Sequence, residues 1–85
     1  MPNQPRHPKT PETRQAEVRQ LTQQLEEVGL PEEVLRPVHA ALADFAASGQ
    51  GYTHTVKVPG TPIVLHCLLS NQAHVVSHIR ITRRP

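Results

Sequence analysis

Three of the chain's six histidines, His66, His74 and His78, fall in one stretch running from Pro62 to Ile81, PIVLHCLLSNQAHVVSHIRI. Two imidazoles beside a cation can cleave RNA without a metal. One takes the 2′-hydroxyl proton, the other protonates the leaving oxygen, and a lysine or arginine stabilises the charge that develops on the phosphate. His66 and His78 are the candidate catalytic residues, with Lys57 and Arg80 as the cations. The plainer reading is that histidine is simply tolerated on a half-exposed strand, because a histidine pair without further partners is a weak signature.

Other chemistries find fewer residues. A zinc site takes three or four protein ligands, but His74 is about 13 Å along an extended strand from His78, at ~3.3 Å per residue. Cys67, the one cysteine, falls on the opposite face of an alternating strand and reads as a small buried hydrophobe. No metal and no cofactor are expected. A lone cysteine also excludes an intramolecular disulfide framework, which makes a reducing compartment the default. Asp44 is the only aspartate, so no serine–histidine–aspartate set can be assembled, and there is no glycine-rich phosphate loop. The only aromatic residues, Phe45 and Tyr52, both fall on predicted core faces. That counts against a sheet that stacks bases on aromatic rings.

Charge is divided along the chain. All seven acidic residues lie between Glu12 and Asp44, and beyond them Lys57, Arg80, Arg83 and Arg84 are uncompensated in sequence. A cationic C-terminal half suits nucleic acid or an acidic protein, and it equally suits solubility alone. No apolar run approaches the roughly 20 residues of a membrane helix. The opening MPNQPRHPKTP has no apolar segment of a secretory signal. A soluble, cytoplasmic protein with no membrane contact is the expectation.

The elements that must position these residues follow from periodicity. Residues 1–10, rich in proline, read as a disordered or extended arm. Thr10 suits an N-cap and Pro11 the first helical position, and Val18, Leu21, Leu25 and Val28 form a stripe that stops at Gly29. A first helix is predicted over about 11–28. A second is predicted over about 31–48, with Leu35, Val38, Leu42 and Phe45 buried and Gly49 ending it. Pro37 predicts a kink, or a separate turn over 31–36. The two helices make an αα-hairpin.

After residue 51 the period becomes two, giving strands over about 52–58, 62–70 and 74–83. Pro59-Gly60 predicts a type II turn. Val58 placed opposite Thr61, and a three-residue loop centred on Gln72, set the register. In that register His66 lies opposite His78, with Thr53 beside it, and Val64 lies opposite Arg80. The predicted fold class is α+β: two N-terminal helices on a three-stranded antiparallel β-meander, α-α-β-β-β, with residues 11–85 as one domain.

This element order is similar to that of small ribosome-dependent toxin ribonucleases of the RelE type. The resemblance implies a metal-independent ribonuclease using His66 and His78. Those toxins usually start with a strand, which the proline-rich arm does not supply. The leading expectation is instead a non-enzymatic module, dimeric through the outer sheet face or the last strand. Its binding residues would be Lys57, Arg80, Arg83 and Arg84, meeting nucleic acid or an acidic protein. A structural accessory subunit is the third reading.

Overall fold

The computed structural model describes residues 7–84. Residues 1–6 and 85 lie outside the described residues, so the expected arm is described only from His7 onward. The chain forms α1 (Pro11–Val28), α2 (Glu32–Ser48), β1 (Tyr52–Lys57), β2 (Ile63–Leu69) and β3 (His78–Arg83). This is the α-α-β-β-β order of the α+β class, with the strands antiparallel and β2 central.

Each helix starts and stops where local chemistry dictates. The Thr10 hydroxyl accepts from the Thr13 N–H at 3.1 Å, satisfying one of the donors that a helix start leaves without a partner. Gly29, at φ 72°, ends α1 in the left-handed conformation that glycine adopts without steric cost. In α2 the separate turn over 31–36 does not form, and Glu32–Ser48 is a single helix containing Pro37. Pro37 lies in the second turn, and the carbonyl its missing N–H would have bonded belongs to Glu33, an exposed residue that water can reach. The buried stripe of α2 is Val34, Val38, Leu42 and Phe45. Val34 takes the inward place predicted for Leu35, which packs at the core's margin.

The hydrophobic core lies between the helix pair and one sheet face. Leu25, Phe45 and Leu65 are fully buried at its centre, each contributing roughly 1.5–3 kcal/mol of burial. Cys67, Leu69 and Ile79 extend it across the sheet.

Both predicted registers are corrected by two residues. Pro59-Gly60 makes the expected turn, with Gly60 at φ 76° and the Thr61 N–H donating to the Val58 carbonyl at 3.3 Å. Strand pairing then resumes not at Thr61 but at Ile63, whose carbonyl accepts from the Val58 N–H at 3.0 Å. Pro62 has no N–H to give a ladder. The Thr61 hydroxyl is committed to the Val58 carbonyl and the Ile63 N–H. Val56 therefore faces Leu65, and Thr55 faces His66.

The β2–β3 connection is longer than the three residues expected, running from Ser70 to Ser77. The reason lies at the other end of the sequence. His7–Lys9 runs antiparallel to this connection, with the Lys9 N–H donating to the Asn71 carbonyl at 2.8 Å and the Ala73 N–H donating to the His7 carbonyl at 3.0 Å. As a result His66 faces Arg80, Leu68 faces His78, and Val64 faces Thr82. A shift of two preserves every side chain's face, where a shift of one would have inverted it.

Lys9 anchors this segment. Its ammonium, 6% exposed as a residue, reaches both carboxylate oxygens of Glu17 at 2.8 and 3.0 Å and the Ser77 hydroxyl at 3.3 Å. It also sits 5.7 Å from the centre of the Phe45 ring, within cation–π range. Arg14 donates to the carbonyls of Lys9 and Ala46, tying the same segment to the end of α2.

Candidate functional site: the outer face of the sheet

Alternation along the strands leaves three cross-strand rows facing away from the helices: Thr53–Leu68–His78, Thr55–His66–Arg80 and Lys57–Val64–Thr82. His66 is at the centre. Its Nδ1 lies 3.5 Å from the Thr55 hydroxyl and its Nε2 lies 3.2 Å from the Thr82 hydroxyl. A hydroxyl both donates and accepts, so the ring is held in place whichever nitrogen carries the proton. His78 shares the face but stands diagonally from His66, a relation that separates two residues by roughly 7–8 Å. The His78 Nδ1–H donates to the Val76 carbonyl at 3.2 Å. The expected direct opposition of His66 and His78 is thus replaced by His66 opposite Arg80.

The four candidate binding cations are not one cluster. Lys57 and Arg80 are exposed on the outer face, and neither has an ion-pair partner among the described residues. Arg83 faces Ile63 across the ladder and so lies on the helix side at the sheet's end. Arg84 follows the strand, with its N–H bonded to the Pro62 carbonyl at 2.8 Å. His74 lies exposed in the β2–β3 connection, away from the pair.

The outer face is also partly apolar. Val64 is only 8% exposed although it lies outside the main core, shielded by its neighbours in the sheet. Leu68 is half-buried, and Val76, beyond the strand, is 71% exposed. On the opposite face, burial pushes the Cys67 thiol above its ordinary value. Such a thiol keeps its proton and is a poor nucleophile. Tyr52 is also pushed up, first by burial and then by Cys67. Among the described residues no group of three or more histidine, cysteine, aspartate or glutamate side chains could hold a metal ion.

Sequence reasoning missed the buried Lys9–Glu17–Ser77 contacts. Lys9 and Ser77 are remote in sequence, and although Ser77 alternates with Val75, Ile79 and Ile81 on the inward side of the last strand, Lys9 belongs to no periodic apolar pattern that would mark it as interior. A lysine at the margin of a proline-rich segment carries no sign of burial.

No family model, no curated protein and no solved structure matches this chain. No helix among the described residues is long and apolar enough to cross a membrane.

Proposed function

We propose that the protein is a non-enzymatic interaction module whose outer sheet face docks a phosphate-bearing partner, nucleic acid being the first candidate. The observation that supports this reading is the composition of the three outward rows. They contain Lys57, Arg80, His66 and His78 and no carboxylate, and among the described residues no ion pair neutralises the two cations. Threonine hydroxyls between the cations add neutral donors for phosphate oxygens. With no aromatic side chain in those rows, contact runs along the backbone of the nucleic acid rather than through base stacking.

Binding of this kind releases counterions. Affinity for a single strand should fall with salt by about 0.7 logarithmic units per decade for each phosphate contacted. Fluorescence anisotropy with a labelled single-stranded RNA, titrated at several salt concentrations, tests it. Arg80→Gln and Lys57→Gln should each weaken binding and flatten the salt slope, while Arg19→Gln on α1 should leave both unchanged. Absence of binding at low salt, or equal loss in all three variants, overturns the reading.

A ribonuclease working through His66 and His78 draws less support. The diagonal placement, the threonine contacts of His66 and the backbone bond of His78 leave the two rings without a shared hydrogen-bonding partner.

A further inference from the structure

The two edges of the sheet are not equivalent. The Val58–Ile63 hydrogen bond fixes the phase of the ladder. Residues 52, 54 and 56 of β1 therefore turn their peptide groups toward β2, while Thr53, Thr55 and Lys57 turn theirs outward. The same phase on the far side turns Ile79, Ile81 and Arg83 outward from β3. That edge is partly closed, because Gln24 of α1 donates to the Ile79 carbonyl at 2.9 Å and Glu17 accepts from the Ser77 N–H at 3.4 Å. No side chain among the described residues closes the β1 edge in this way. Beneath it, on the helix side, an apolar hollow of about 220 Å³ is lined by Val34, Pro37, Val38, His54 and Val56, with Lys57 and Glu33 at its rim. A second hollow continues along Ala40, Ala41 and Tyr52 toward Asp44.

We propose that the β1 edge is the docking site for β1 of a second copy of this chain, which makes a continuous six-stranded antiparallel sheet about a two-fold axis at Thr55. Three features of the strand select this occupant. First, with Thr55 opposite Thr55 and Thr53 opposite Lys57, all three outward residues of each copy meet outward residues of the other. Every other antiparallel register leaves at least one of them without a partner. Second, this register separates the two lysines. At each end of the pair, Lys57 of one copy lies beside Thr53 of the other on the outer face, so no cation meets a cation across the seam. Third, the helix-side row becomes His54 opposite Val56 and Tyr52 opposite Val58, which extends apolar cover over the hollows that a single copy leaves open.

The outer rows of both copies then lie on one surface. Lys57, His66 and Arg80 are doubled across the axis, although the association itself does not depend on nucleic-acid binding.

Sedimentation velocity over a dilution series tests the proposal, with Thr55→Pro as the key variant. Proline removes the outward N–H of Thr55 without touching the β1–β2 ladder. It should convert a concentration-dependent dimer to a monomer with unchanged far-ultraviolet circular dichroism. Thr55→Val, which keeps the N–H and loses only the hydroxyl beside His66, should remain dimeric. A second measurement is independent of proline. Thr55→Cys should cross-link to itself under mild oxidation, because hydrogen-bonded antiparallel partners stand about 5.5 Å apart at Cα. Thr53→Cys should not, since the same axis sets its two copies roughly 13 Å apart along the strand. A wild-type protein that stays monomeric at millimolar concentration overturns the proposal. So does a dimer that survives Thr55→Pro, or cross-linking by Thr53→Cys in preference to Thr55→Cys. Loss of RNA binding with the dimer intact would instead strike the functional reading alone.

Discussion

His66 stands opposite Arg80 across β2 and β3, with its ring between the hydroxyls of Thr55 and Thr82. This relationship makes the central histidine part of a cationic row rather than half of an acid–base pair. The permanent charge beside it is a guanidinium, which neither gives nor takes a proton at working pH.

One consequence concerns catalysis. The purified protein should leave RNA intact in the presence of a chelator, and His66→Ala and His78→Ala should match the wild type in a time course on denaturing gels. Cleavage that either substitution lowers by the 10²-fold or more typical of a lost general acid or base, roughly, would restore the ribonuclease reading.

The anchoring of the N-terminal segment should show in stability. Lys9→Met leaves Glu17 facing the buried site without its cation, and breaking such a pair from one side costs about 3 kcal/mol or more. In a domain of this size that corresponds to a fall in Tm of roughly 12–24 °C. Lys9→Met combined with Glu17→Leu should recover much of the loss, because no charge is then stranded. Thermal unfolding of the two single variants and the double variant decides it. Additive losses would show that the ion pair is not what holds His7–Lys9 in place.

Two glycines offer a controlled comparison. Gly29 and Gly49 have similar φ values, 72° and 78°, but a Cβ at Gly29 meets nothing within 4 Å, whereas one at Gly49 meets the Asn71 side chain at 2.8 Å. Gly29→Ala should cost about 1–2 kcal/mol, the left-handed penalty alone. Gly49→Ala should cost more, because Asn71 lies in the connection that binds His7–Lys9 and has to move. Equal losses in chemical denaturation would mean that Asn71 yields freely.

Alkaline pH should weaken the fold through Cys67. Burial raises its value above the ordinary 9.0, so the folded protein holds the thiol proton more tightly than the unfolded chain. The resulting stability is complete below the ordinary thiol value and is lost as pH rises through the folded one. Tyr52, shifted in the same direction, adds to the decline at higher pH. Unfolding midpoints measured from neutral to alkaline pH should fall, and Cys67→Ala should show a shallower fall from a lower starting stability. The native thiol should also react slowly with a disulfide reagent until denaturant is added. Fast reaction in the folded protein would place Cys67 nearer solvent than the core.

The helices and the faces of the strands were legible in the sequence because they depend on local rules. Thr10-Pro11 and Gly29 mark the ends of α1. Spacings of three and four select Leu21 and Leu25, and strict alternation sends Leu65 and Cys67 inward while His66 turns out. These choices need only the periods of helix and strand and the conformational range of glycine and proline. Pro37 was harder to read, since the tolerance of a proline depends on whether the freed carbonyl can reach water, and the exposure of Glu33 is a property of the folded chain.

Register and the buried ion pair were decided by the tertiary structure. Alternation fixes which face a residue takes but is unchanged by a slide of two residues, so His66 could have faced either His78 or Arg80. The choice fell to the Thr61–Pro62 extension of one turn, and to the pairing of His7–Lys9 with the Ser70–Ser77 connection. Lys9 became an interior residue because Glu17, Ser77 and Phe45 converge on its ammonium from α1, the β2–β3 connection and α2. Contacts between segments so far apart leave no periodic trace in the chain, and only their meeting in space makes a buried charge tolerable.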